Sequence, residues 1–386
     1  MVLPIRRDRA ARGVVFVAAA AVFLCCWEVL HHWFYTHHQI IDTPIYETYG
    51  RAMGNGLLPY RDFAVEYPPG ALPVFVAPTY LGGYADTFGW LMAACGVGCL
   101  ACAVAARASL HALAFIAVSP LLIGSLALSR FDFWPMLFVT AALAAFVRDR
   151  HRVGFAALGA AVAAKLFGVV LIPLAIVWTV RRRGIAELAR AGACGFAVAA
   201  AAVLPFAILA SDGLWHSFRA QASRPLQIES TAASFLTTFG HPKVILTHGS
   251  FNLAGQGTVA AMTTLLEITA LIGLWIAFAR GPVERERLLR YAAACVCAFI
   301  VLGKLLSPQF LIWLVPLVPL ARGRRGAAAS LLLAAALAMT QVFFPSRYSE
   351  YVFHLHLAWL VLARNLVLVA LLALLSWPAR APARSS

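Results

Sequence analysis

Residues 14–34, VVFVAAAAVFLCCWEVLHHWF, form an apolar run long enough to cross a bilayer, and Arg6, Arg7, Arg9 and Arg12 precede it. A membrane-spanning helix needs about 20 apolar residues. Basic residues followed by an apolar run also mark a secretory signal, but this run is long enough to span and no small-residue cleavage site separates it from Asp42. It is read as an uncleaved first helix. The rest of the chain repeats the theme: of 386 residues, 62% are AVILMFWYC, and the mean hydropathy is +0.82. Only a lipid-embedded protein carries such a composition.

The sequence therefore predicts an all-α polytopic membrane protein. Further apolar runs at 86–106, 110–127, 131–147, 153–164, 166–180, 189–210, 258–279, 290–306, 309–321, 327–345 and 355–376 bring the expected spans to about twelve. No polar run is long enough to fold separately, so residues 1–376 are read as one integral-membrane domain and 377–386 as a disordered cytoplasmic tail.

A formal charge of +15 raises the question of nucleic acid, but the basic residues fall in short clusters between apolar runs. Such clusters are topology signals. Arg148/Arg150/Arg152, Arg181–Arg183, Arg285/Arg287/Arg290 and Arg322/Arg324/Arg325 are assigned to the cytoplasm together with both termini. Two long loops, 35–85 and 211–257, are then extracytoplasmic. Within the first, Thr43–Gly54 reads as a short helix with Thr43 as cap, Pro44 in the first turn and Gly54 as its stop. The proline-broken segment 71–83 is expected to lie along the outer interface.

Segment 153–180 is bracketed by two cytoplasmic arginine clusters and must enter and return. Its apex, Lys165, is expected below the outer surface in a protein-lined cavity, where a charge requires a partner. Arg130, Asp132, Lys304 and Gln309 belong to the same side, as do Asp42, Glu66, Arg224 and Glu229. Such a polar mouth at one leaflet suits an anionic, lipid-linked substrate. The residues alone leave Asp42 open between helix cap and general base, and Arg224 and Glu229 open between a surface ion pair and a functional role. Glu28 and Glu267, inside spans, are expected to pair internally. All 8 cysteines fall in apolar runs without zinc spacing, and no metal or cofactor is implied.

The ordered motifs Asp42-x3-Tyr46, Gly56-Leu-Leu-Pro-Tyr-Arg-Asp62, Glu66-Tyr-Pro-Pro-Gly70, Ser129-Arg-Phe-Asp-Phe-Trp-Pro135, Ala163-Ala-Lys-Leu-Phe-Gly168, Arg224-Pro-Leu-Gln-Ile-Glu-Ser230 and Lys304-Leu-Leu-Ser-Pro-Gln-Phe310 resemble glycosyltransferase family 87. The likeness runs from Asp42 to about Pro319. It implies a GT-C-like enzyme of the bacterial inner membrane that transfers a hexose, often mannose, with inversion. The donor would be a polyprenyl-phosphate sugar and the acceptor a lipid or glycan on the extracytoplasmic face. On this resemblance Asp42 takes the place of the catalytic base. Lys165, Arg130, Lys304, His248 and His241 are candidates for the donor phosphate. Tyr46, Tyr60, Glu66, Tyr67, Asp132, Arg224, Gln227, Glu229 and Gln309 are candidates for the substrates. The competing class is a secondary transporter or flippase, which predicts two related halves; no internal repeat is found, and the polar groups gather on one side.

Overall fold

A computed structural model describes residues 3–34 and 42–377, with the side chains of 3–10 and 34 excepted. The tail from residue 378 and the side chains of Arg6, Arg7 and Arg9, on which part of the topology reading rests, lie outside the described residues. Helix α1 (Leu3–Val29) opens the chain. The helix expected in the first loop is present as α2 (Thr43–Gly54), with Pro44 in its first turn. Pro69, Pro73 and Pro78 then break the chain into two 3-10 turns and the single-turn α3 (Leu72–Val76). This segment packs one side into the protein and leaves the other open: Leu72, Val74 and Phe75 are buried, with the Phe75 ring stacked on Tyr46 at 4.5 Å, whereas Tyr80 and Leu81 are exposed.

There follow α4 (Tyr84–Ala105), α5 (Leu110–Ile123), the short α6 (Leu126–Ser129), α7 (Phe133–Val147), α8 (His151–Ala164) and α9 (Ile172–Leu209). The second loop holds α10 (Ser211–Ala222), α11 (Thr231–Phe239) and an antiparallel hairpin of β1 (Val244–Thr247) and β2 (Ser250–Leu253). The chain closes with α12 (Gly257–Arg280), α13 (Arg285–Leu302), α14 (Gly323–Phe343), α15 (Tyr348–His354) and α16 (Ala358–Ser376). Apart from this hairpin the described regular structure is helical. The hairpin turns through His248 and Gly249, both at positive φ (51° and 65°), which is the signature of a two-residue type I′ connection.

Among the described residues six helices are long and apolar enough to cross a membrane: 11–33, 84–105, 166–209, 257–280, 323–343 and 358–376. Four shorter apolar stretches, 110–123, 133–147, 151–164 and 308–320, fall below the length of a full crossing. The reading of about twelve spans thus meets six full-length helices and several short ones covered by neighbours. Two of the expected spans, 166–180 and 189–210, fall on either side of Gly184, where φ is +81° and the backbone of α9 is not helical, so that α9 consists of two helices joined at a kink. α13 runs through the centre; every residue from Leu288 to Ala298 is buried.

Arginines tie together one end of the assembly. Arg322 donates to the Arg107 carbonyl at 2.9 Å, Arg181 to those of Ala279 and Gly281, and Arg290 to that of Leu375. Arg285 feels the charges of Arg12, Arg107 and Arg322. This end holds the start of α13, whereas Lys304 follows the other end of that helix.

There α8 stops: Lys165 leaves the helix with extended backbone (φ −160°) before a 3-10 stretch, Leu166–Leu171. The Pro-Pro-Gly turn of the first loop rests on this break. A Cβ on Gly70 would lie 2.5 Å from the carbonyl carbon of Ala163, and Trp134 Nε1 donates to the Gly70 carbonyl at 2.9 Å. Only glycine permits that approach. Gly70→Ala is therefore expected to lower stability by about 1–3 kcal/mol, read as an earlier thermal unfolding of the purified protein; unchanged unfolding would mean that the loop does not bear on α8.

Candidate active site

A cavity of about 490 Å³ opens where α8 breaks and α13 ends, roofed by the two loops. Its wall takes Asp42, Glu66 and Tyr67 from the first loop and Arg130 and Lys165 from the helical body. Arg224, Gln227, Glu229 and His248 come from the second loop, and Lys304 and Gln309 from the segment after α13. Segments up to 306 residues apart in the chain thus meet in one hollow, from Asp42 to Tyr348.

Asp42 occupies the N-cap position of α2, but its side chain makes no cap hydrogen bond. Thr43, expected as the cap, is the first helical residue. The Asp42 carboxylate instead forms an ion pair with Arg130 and accepts the Tyr46 hydroxyl at 3.3 Å. A capping role for the carboxylate is excluded by this geometry. Tyr46 is fully buried behind the aspartate and does not line the cavity. Tyr60 likewise stands behind the wall, donating from its hydroxyl to the Tyr67 carbonyl at 2.6 Å. Both were expected to face substrate; their rings are used up in packing, and their hydroxyls orient the residues that do face it.

The partner that the Lys165 ammonium requires is Asp132. Nζ lies 2.6 Å from Asp132 Oδ1, which also accepts Trp313 Nε1 at 2.5 Å. The rings of Phe131, Trp313 and Phe310 surround the ammonium at 4.6, 5.0 and 5.7 Å from their centroids. Asp132 is wholly buried behind the lysine and is not part of the wall, which corrects its reading as a substrate ligand. Asp42 with Arg130, and Asp132 with Lys165, make two ion pairs at the base of the cavity.

Arg224 and Glu229 are not a surface ion pair. The guanidinium donates to Ser250 Oγ at 2.9 Å and to Gln221 Oε1 at 3.3 Å, and it lies within electrostatic range of Glu66, Glu229, Lys165 and Lys304. Glu229 is held at the start of α11, whose N-cap Ser230 accepts from Ala233 N at 3.3 Å. Its Oε1 accepts the Tyr348 hydroxyl at 2.5 Å, and its carbonyl accepts Asn365 Nδ2 at 3.1 Å. Burial raises the Glu229 carboxyl to about 6, opposed by the Tyr348 hydroxyl, Arg364 and Arg224.

Lys304 Nζ donates to the Ala222 carbonyl at 2.8 Å, and its own carbonyl accepts Gln227 N at 3.0 Å. His248 reaches the cavity from the hairpin turn; His241, before β1, does not line it. Glu28 pairs with His32 at 3.0 Å, as expected of a charge inside a span. Glu267 faces the cavity from α12, within electrostatic range of Lys304. The sequence reading also missed Gln221 of α10, Trp313 and Tyr348 as wall residues. A carboxylate in an apolar run was a usable signal for Glu267; nothing local marked Tyr348.

These features define a polytopic membrane protein with a polar, charge-paired cleft at one end of its helices, and the fold is that of the GT-C glycosyltransferases. It is similar to ArnT from Cupriavidus metallidurans bound to undecaprenyl phosphate, with a TM-score of 0.51 and 16% identity over 94% of this chain and 76% of that one. The model of glycosyltransferase family 87 matches residues 65–308, and the chain belongs to that family. Comparison with curated proteins gave no match. The family match begins at residue 65, so the first two motifs of the expected likeness, Asp42-x3-Tyr46 and Gly56–Asp62, lie upstream of the matched stretch.

Proposed function

We propose that this membrane glycosyltransferase moves a hexose, mannose by its family likeness, from a polyprenyl-phosphate donor to a lipid or glycan acceptor. Transfer would occur with inversion at the extracytoplasmic face of a bacterial inner membrane, with residues 1–376 as one catalytic domain and both termini cytoplasmic. The observation that carries this reading is the convergence of Asp42 with Arg130, Lys165, Arg224 and Lys304 on one cavity. The ArnT structure, bound to undecaprenyl phosphate, supports a lipid phosphate as ligand of this fold. The arginine-tied end, opposite the cavity along α13, supports the orientation.

A sugar carried on phosphate already has a good leaving group. The acceptor hydroxyl oxygen attacks the anomeric carbon from the face opposite the phosphate, the carbon–oxygen bond to phosphate breaks with its electron pair on the phosphate, and the hydroxyl proton passes to the Asp42 carboxylate. Single displacement inverts the centre. Arg130 holds the carboxylate in place, and Tyr46 orients it.

The phosphate gains charge as the bond breaks, so fixed cations near it stabilise the transition state. Arg130 and Lys165 each make a direct ion pair with a carboxylate, whereas Arg224 and Lys304 have carboxylates only within electrostatic range and hydrogen-bond to neutral groups, so these two are the cations with most to offer, assisted by His248. Arg224→Ala and Lys304→Ala are each expected to lower kcat/KM for the lipid donor about 10–100-fold, equivalent to a charged hydrogen bond of about 1.5–3 kcal/mol. Steady-state kinetics on purified protein measure this, and unaltered constants in both variants would remove the phosphate from that wall.

A further inference from the structure

On the wall formed by the second loop and the segment after α13, three acceptor oxygens have no hydrogen-bond partner among the described residues: Glu229 Oε2, Gln227 Oε1 and Gln309 Oε1. All three residues line the cavity; Glu229 is 1% exposed and Gln227 3%. Folded proteins rarely leave buried polar oxygens unpaired, and such atoms mark places where something else donates. The structural duties of Glu229 fall on its other atoms, since Oε1 takes the Tyr348 hydroxyl and the carbonyl takes Asn365. Oε2 has neither of these partners.

The charge around it narrows the donor. Arg224 from the loop and Arg364 from α16 both act on the Glu229 carboxylate, and Tyr348 and Tyr351 of α15 are the other titratable groups that face it. An ammonium would find no surplus negative charge here, whereas a hydroxyl donates a hydrogen bond without bringing charge. The bond from Gln227 N to the Lys304 carbonyl fastens this acceptor-rich patch to the cationic one. A ring bonded directly to a phosphate would place its hydroxyls beside that phosphate in the same way.

We infer that Glu229, Gln227 and Gln309 form a subsite that reads the hydroxyls of the transferred sugar and selects a neutral hexose over deoxy and amino sugars. The inference rests on the donor reading proposed above. It is tested with full-length protein, polyprenyl-phosphate mannose, its monodeoxy analogues and an amino-sugar counterpart, comparing wild type with Glu229→Gln, Gln227→Leu and Gln309→Leu.

Wild type is expected to lose about 100-fold or more in kcat/KM on at least one deoxy donor, because a site built to bond a hydroxyl rejects the analogue that lacks it. The variants should lose about tenfold on the parent donor and discriminate less against that analogue. As pH falls through about 6, Glu229 takes up a proton and loses an acceptor, so wild-type kcat/KM should fall there and that acid limb should vanish in Glu229→Gln. Sugar-free polyprenyl phosphate should bind all three variants with the wild-type Kd, which a misfolded protein would not do. Equal use of every deoxy donor by wild type, undiminished discrimination in all three variants, or preference for the amino sugar overturns the inference and leaves the lipid-phosphate donor standing. Absence of transfer from every lipid donor overturns the donor reading and the inference with it.

Discussion

Lys165→Ala is expected to destabilise the protein by about 3–5 kcal/mol as well as to slow turnover, because it leaves the Asp132 carboxylate buried without its counter-ion. The side chain of Asp132 is 0% exposed, and Lys165 Nζ lies 2.6 Å from it. Trp313 Nε1 remains as a donor but does not cancel the charge. The double variant Asp132→Asn with Lys165→Met removes both charges while keeping the volume and the acceptor for Trp313, so most of the lost stability should return. Turnover should stay low, since the ammonium at the cavity floor is gone. Thermal unfolding in detergent, set beside donor kinetics, separates the two effects. A single variant as stable as wild type, or a double variant no more stable than the single, would contradict the pairing.

The second large effect concerns Asp42→Asn. An amide keeps the size of the side chain and an oxygen for the Tyr46 hydroxyl, and the carboxylate makes no cap bond to α2, but the change removes a counter-charge of the buried Arg130, which keeps Asp132 nearby, so a loss of stability smaller than that of Lys165→Ala is expected. The proposed base is also lost. Removal of a positioned general base lowers rate by about 10²–10⁴-fold, and here the fall should appear in kcat with little change in donor KM. Asp42→Glu, which restores a carboxylate one methylene further on, should recover only part of the rate. A variant with wild-type kcat would assign the proton to another group, of which Glu66 and Glu267 are the cavity carboxylates to examine next.

Much of this was legible in the chain because membranes impose strict rules on backbone and charge. The short helix Thr43–Gly54 was readable from Pro44 and Gly54, and the helix break at Lys165 followed from the arginine clusters on either side of it. The need for a counter-ion to that lysine was clear, but its identity was not. Asp132 is 33 residues away in sequence, and only packing brings the two together. Tyrosines gave the least guidance: Tyr67 faces the cavity, whereas Tyr46 and Tyr60 point into the protein, and an aromatic in a loop carries no period from which its face can be read.

The hairpin was missed although its turn residues, His248 and Gly249, carried a local signal, since its strands are only four residues each. Tyr348 was invisible for a different reason. It arrives from α15, beyond every recognised motif, to meet Glu229 119 residues earlier.

The central claim is that the convergent cavity forms a glycosidic bond at the expense of a lipid phosphate. Purified protein incubated with radiolabelled polyprenyl-phosphate mannose and candidate glycolipid acceptors tests it directly. The account predicts label in a new glycosidic linkage and release of polyprenyl phosphate with wild type, and neither with Asp42→Asn. Label that crosses the membrane still attached to its carrier, with no new bond formed, would contradict it.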